Sequence, residues 1–189
     1  MNPASSLFAA AALHLGLLSV PVRAETAAPA PSATASAAAE ATVTRLSGGA
    51  PTLDELVGRF ATALSENDRA ALEALRVTQA EYRDLIVPGN VKPGEPPQIV
   101  GAEASEYFFG VMNTKSAYYR DALLKSYAGK KLSIREVRFE KGVQQYAGHR
   151  AHKRLLLTVV DETGATHEIR TGSIVERDGV FKLMSFIRD

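Results

Sequence analysis

The hydrophobic pattern of this chain changes period once, after Lys131, and that change limits the fold more than any other feature. Before it, apolar residues recur at helical spacing. After it, β-branched and aromatic residues fall in strand-like runs at 132–139, 153–160, 166–176 and 180–187. The connections between the last three runs, 161–164 and Asp178-Gly179, are short enough only for antiparallel hairpins, and Asp-Gly supplies the positive φ angles of a tight two-residue turn. Helices followed by an antiparallel meander define an α+β domain with its helices on one face of a bent sheet.

The helical part divides at its capping signals. Thr52 and Glu55 have the spacing of a capping box, and Leu53, Leu56, Val57, Phe60 and Leu64 then share one face. Asn67 is placed to cap a short second helix with Ala71, Leu72 and Leu75 inward, and Thr78 with Glu81 forms another box ahead of Tyr82, Leu85 and Ile86. Pro88, Gly89, Pro93, Gly94, Pro96 and Pro97 interrupt regular structure, with 85–87 and 98–100 available to pair as short strands across the loop. The longest helical pattern is 102–127, stopped by Gly129, with Lys125, Lys130 and Lys131 where a helix C-terminus favours cations. It carries two apolar rows, Ala104, Tyr107, Phe108, Val111, Tyr118, Ala122 and Phe109, Met112, Tyr119, Leu123, which predicts a central helix covered on more than one side.

If Arg177 faces Val180 across the last turn, Val175 faces Lys182, Ser173 faces Met184 and Thr171 faces Phe186. The greasier sheet face then holds Leu155, Leu157, Val159, Ile169, Val175, Met184 and Phe186 and is expected against the helices. Leu156, Ile174, Leu183 and Ile187 share the other face with Arg154, Glu168 and Arg170.

Two segments precede the domain, which is expected over 52–189. Residues 7–20 form a 14-residue stretch without a formal charge, shorter than the about 20 residues a membrane-spanning helix needs. Pro21 and Val22-Arg23-Ala24 follow, with short residues where a signal peptidase reads before a cut after Ala24. Residues 1–24 are therefore expected to be a leader that exports the chain to a periplasmic or extracellular site, with no membrane attachment after cleavage. Of residues 25–42, 9 of 18 are Ala, with Pro29 and Pro31 and no aromatic or large aliphatic residue, so 25–51 is expected to be a disordered tether.

Charge and cysteine content remove whole classes of function. With 22 Lys and Arg against 21 Asp and Glu, the chain lacks the basic footprint that binds nucleic acid. With no cysteine it has no disulfide, thiolate nucleophile or cysteine-ligated metal. Phosphate loops, zincin helices and nucleophile elbows are absent from the sequence. His149, His152 and His167, with Asp161 and Glu168 nearby, are spread too widely along the strands to share one metal, so neither a metal nor another cofactor is expected. Lys130, Lys131, Arg135 and Arg138, and separately Arg150, Lys153 and Arg154, read as solvated strand edges.

The opening helix, Leu64, Ser65, Glu66, Asn67 and Asp68 leading into 70–75, the long helix, and the closing segment 172–186 with its Asp178-Gly179-Val180-Phe181-Lys182 hairpin resemble the nuclear-transport-factor-2-like superfamily. The resemblance covers most of 52–189 and implies a cone, a strongly bent sheet wrapped around helices. Phe181 stands where many members carry Trp. The superfamily includes ketosteroid isomerases, polyketide cyclases and dehydratases as well as noncatalytic binding and assembly domains, and no position here matches its catalytic residues.

An isomerase or dehydratase would need a base of raised pKa beside an acid donor inside the cone, and the groups available are Asp84, Glu106, His167, Tyr82, Tyr107, Tyr118 and Tyr119. Tyr82, Tyr107, Tyr119 and His167 are the expected ligand-binding residues, for a small apolar ligand. The reading that follows is an exported, noncatalytic ligand-binding or protein-interaction domain of the cell envelope, partnered by a second copy or an envelope protein. A small-molecule isomerase, dehydratase or cyclase is the alternative.

Overall fold

A computed structural model describes residues 42–188, so the expected leader and the expected tether as far as residue 41 lie outside the described residues. Helices α1 (Leu53–Ser65), α2 (Arg69–Ala74), α3 (Gln79–Glu81), α4 (Val87–Gly89) and α5 (Ala102–Tyr127) come first, with a π-helical turn at Tyr82–Ile86 joining α3 to α4. Strands β1 (Ser133–Phe139), β2 (Val143–Gln145), β3 (Arg150–His152), β4 (Leu155–Val160), β5 (Thr166–Arg170), β6 (Ile174–Arg177) and β7 (Val180–Leu183) follow. They form two antiparallel sheets, ordered β1-β4-β5 and β2-β3-β6-β7. The protein is an α+β domain with helices packed on antiparallel sheets.

Local chemistry accounts for most of these boundaries. The Thr52 hydroxyl accepts the Glu55 amide as expected, while the Glu55 carboxylate turns to Arg59. Both halves of the Thr78–Glu81 box are made. Asp68, not Asn67, caps α2, accepting the Ala71 amide at 2.8 Å, because Asn67 takes the left-handed conformation at φ 56° that turns the chain between helices. Residues 85–87 stay helical instead of pairing with 98–100, and the Gln98 amide donates to the Pro88 carbonyl instead.

The last hairpin has the expected register, with Arg177 opposite Val180 and Val175 opposite Lys182, and Asp178 and Gly179 both at positive φ. The meander, however, is bent rather than continuous. β1 passes into β2, β3 into β4, and β5 into β6, so each ribbon leaves one sheet and enters the other. At that corner Arg154 has φ 58°, the Leu155 amide donates to the Gly172 carbonyl, and Gly172 donates to Ser185. A Cβ on Gly172 would lie 2.4 Å from the Ser185 Oγ and 3.0 Å from its carbonyl oxygen, so a side chain there would force the crossing to shift.

The corner also shifts the parity of the strands. Leu155, Leu157, Val159, Ile169 and Phe186 join the main core with Leu56, Phe60, Leu64 and Leu72 of α1 and α2, as expected. In the second sheet it is Ile174 and Leu183 that join them, and Val175 and Met184 face a smaller cluster with Leu46, Val77, Leu85 and Ile86. Both faces of β6 and β7 are thus packed, whereas β2 is exposed.

Residues expected in the tether join both clusters, Leu46 the smaller and Ala50 the main one. Leu46 and Ala50 are buried, and Ala50 exchanges backbone hydrogen bonds of 3.0 and 2.8 Å with Phe181. The packed structure therefore begins before Thr52.

Candidate functional site

The four expected ligand-binding residues do not converge. Among the described residues no hydrogen bond or ring contact joins any two of them. Tyr82 packs on Phe109 at 5.5 Å between ring centroids and lines a groove of about 160 Å³ with Ile86, Val87, Asn90, Gln98, Val100 and Phe108. That is smaller than the roughly 300–1,000 Å³ of small-molecule sites. Burial pushes the Tyr82 hydroxyl above its ordinary pKa. Tyr107 is 69% exposed, and Tyr119 packs on the main core with Arg188 over its ring.

His167 sits on β5 opposite Val159, the position its hairpin predicts. Its Nε2 lies 2.7 Å from Asp161 Oδ2, and its ring meets Tyr127 edge-on. Asp161 also accepts the Thr163 hydroxyl and the amides of Thr163 and Ala165, bonds that with His167 hold its carboxyl well below the usual range. This carboxylate organises the β4–β5 turn. Asp84 is also engaged: it takes hydrogen bonds from Arg83 and the Val43 amide, and the Arg83 bond leads the effects that lower its pKa. A carboxylate held low is the reverse of the raised base that proton abstraction beside a carbonyl requires.

The space between helices and sheet is filled by side chains. Leu56, Phe60, Leu64, Leu72, Leu157, Ile174 and Phe186 are fully or almost fully buried there, and Phe60 stacks on Phe186.

Clefts with charged residues in their lining lie at the surface. Arg177 stands between two of them, of about 260 and 340 Å³, where the β2–β3 turn meets the loop after α4. Its Nη1 donates to the Gly148 carbonyl at 3.0 Å. His149, 5% exposed, stacks on Tyr146, and burial, aided by the Arg177 charge, lowers its pKa to about 4. Arg150 and Arg177 are balanced there by Glu176 and Asp178, with Arg150 paired to Glu176 at 3.2 Å and His152 to the same carboxylate at 2.8 Å. His152 and His167 thus each hold a separate carboxylate. Among the described residues no group of three or more His, Asp or Glu side chains is arranged to hold a metal.

The unusual surface is α5, which is covered on one side and not, as expected, on more than one. Ser105, Ser116 and Arg120 are buried, while Tyr107, Phe108 (57% exposed), Val111 (41%) and Tyr118 (73%) face outward. Thus the row of Phe109, Met112, Tyr119 and Leu123 points toward the domain, whereas the other row is largely uncovered. The reason lies in long-range polar contacts. Arg120 pairs with Glu73 and, at 2.8 Å, with Asp121; Arg76 donates to Glu73 at 2.7 Å and to Asn113 at 2.8 Å; and the Ser116 hydroxyl accepts the Phe186 amide at 2.9 Å. These bonds, with buried Phe109, Leu123 and Leu124, fix which side of the helix faces the domain, and Tyr107, Phe108, Val111 and Tyr118 remain outside.

The signal for this surface was present in the sequence as a second apolar row, but nothing local says which row is covered. No protein-family model matches the chain, and neither does any curated protein or solved structure. Among the described residues no helix is long and apolar enough to cross a membrane.

Proposed function

We propose that this protein is an exported, noncatalytic interaction domain of the nuclear-transport-factor-2-like kind, and that it binds through the outer face of α5 instead of an internal pocket. The observation that carries this reading is the uncovered apolar row of α5: Tyr107, Phe108, Val111 and Tyr118 are exposed while Phe109, Leu123 and Leu124 on the other side are buried. Large contiguous apolar patches on soluble domains mark interaction sites. Tyr and Phe are among the residues enriched at such sites. The filled interior supports the same conclusion, since a pocket enzyme of this architecture needs room beside its base and acid.

The family reading is supported by the order of elements, helices then a sheet bent at a corner, and by the closing hairpin. The export reading is supported by residues 7–20 and Val22-Arg23-Ala24.

Native mass spectrometry of the protein purified from cells exporting it tests the reading. The expected spectrum contains chain beginning at Glu25 with no retained small molecule. A stoichiometric organic ligand surviving purification overturns it in favour of an internal pocket, and a chain that still begins at Met1 removes the export step.

A further inference from the structure

We propose that the partner of the α5 face is a second copy of this chain, paired antiparallel along the seam Ala104, Phe108, Val111, Lys115, Tyr118 and Ala122. This rests on the reading of α5 as the binding surface and deepens it by naming the occupant. The spacing of these six residues alternates four and three, the a/d repeat of a two-stranded coiled coil. They follow one stripe of α5 that the domain does not bury. The flanking row that includes Phe109, Met112 and Tyr119 is turned to the domain, so one side of the seam is already supported.

The seam is symmetric about Asn113. A twofold axis there sets Ala104 against Ala122 of the second copy, Phe108 against Tyr118, and Val111 against Lys115. Each layer joins an a position to a d position, as antiparallel pairing requires, and the alanines at both ends allow close approach. Charge selects the same direction. Glu103 and Glu106 occupy the first turns of α5 and Lys125 its last turn. Antiparallel pairing brings the acidic end of one helix beside the basic end of the other, with the helix dipoles opposed. Parallel pairing would align Glu103, Lys115 and Lys125 with their own copies.

The chain preceding the domain offers no better occupant. Residues 25–42 contain no aromatic or large aliphatic side chain to fill the seam, and residues 7–20 leave with the leader under the export reading. Lys115 is the one charged residue in the seam, and a lone Lys at an a position sets register at a cost in stability. The two Val111–Lys115 layers flank the axis, which sets the two Lys115 about 6 Å apart along it, each against a Val111, and keeps the pair reversible.

The absence of cysteine makes the geometry directly testable. Ala104→Cys and Ala122→Cys are introduced separately into the exported protein, with Thr166→Cys on the exposed end of β5 as the control. Antiparallel pairing separates two copies of residue 104 by about 27 Å along the axis at 1.5 Å per residue. An equimolar mixture of the two variants is therefore expected to form disulfide dimers under mild oxidation at least about tenfold faster than either variant alone. Lys115→Leu is expected to tighten self-association at least about tenfold in sedimentation equilibrium.

Cross-linking of Ala104→Cys alone at the rate of the mixture overturns the antiparallel pairing. Rates no greater than the control, with Lys115→Leu still monomeric at the highest concentration, overturn the dimer. If no small molecule is retained in that case, the interaction reading stands with a different partner. A retained ligand overturns both.

Discussion

The Lys182 ammonium donates to Glu81 Oε2 at 2.8 Å in a site where both residues are 1% exposed, and the same nitrogen donates to the Ser47 carbonyl at 2.7 Å. The Glu81 carboxylate also accepts the amides of Ser47 and Thr78. Burial alone would raise the Glu81 carboxyl, but the bond from Lys182 and those from the two amides outweigh it and hold its pKa below the ordinary value. One ion pair thus ties the segment before α1 to both α3 and β7. Removing one partner of a buried pair leaves an uncompensated charge and typically costs about 3–5 kcal/mol. Lys182→Met is expected to lower the urea unfolding free energy by that amount and to speed tryptic cleavage after Arg45. Glu81→Leu combined with Lys182→Met should recover part of the loss, which a double-mutant cycle measures.

His149 predicts a distinct pH dependence. Its folded pKa of about 4 lies below the usual 6.5, so the folded state binds fewer protons than the unfolded state between those values. Stability from this group is complete above pH 6.5 and is lost as the pH falls toward 4. The difference corresponds to about 3 kcal/mol. The depressed carboxyls of Glu81 and Asp84 act in the same direction but at lower pH. His149→Phe keeps a ring on Tyr146 and removes the titration, so its unfolding free energy should change far less between pH 7 and 4.5 than that of the wild type. Parallel curves for the two proteins would contradict the assignment.

Gly89 and Gly148 hold the loop after α4 against the β2–β3 turn. The Gly148 amide donates to the Gly89 carbonyl at 3.1 Å and the Ala147 amide to the Val91 carbonyl at 2.9 Å. A Cβ on Gly148 would lie 2.7 Å from the Gly89 Cα, backbone that cannot swing aside. Gly148→Ala is therefore expected to cost about 1–3 kcal/mol. Amide exchange at 147 and 148 should rise with it, and unchanged protection there would show that the contact carries no stability.

How far the fold could be read in advance depended on the range of the interactions. Thr78 with Glu81 and Asp178 with Gly179 act within a few residues, and both structures follow their spacing. The strand parity failed at Gly172, where a close approach to Ser185, distant in sequence, bends the ribbon and exchanges Val175 for Ile174 on the main-core side. Leu46 and Ala50 sit in a polar, small-residue segment whose composition suggests a tether, and their burial depends on Lys182 and Phe181 far along the chain. The orientation of α5 was hidden for the same reason: its buried residues Ser116 and Arg120 are held by the Phe186 amide and by Glu73. Periodicity revealed two apolar rows, and only tertiary hydrogen bonds decide which is left open.

The central claim is that the outer row of α5 is a binding surface and not part of the core. Thermal unfolding and sedimentation velocity of Phe108→Asp, measured on the same sample beside wild type and Leu157→Ala, test it most directly. Leu157 is fully buried, so its truncation should cost about 2–5 kcal/mol. At low concentration Phe108→Asp should unfold at the wild-type midpoint, and at high concentration it should remain monomeric where the wild type associates. A midpoint lowered as far as that of Leu157→Ala, or association equal to wild type, would contradict the account.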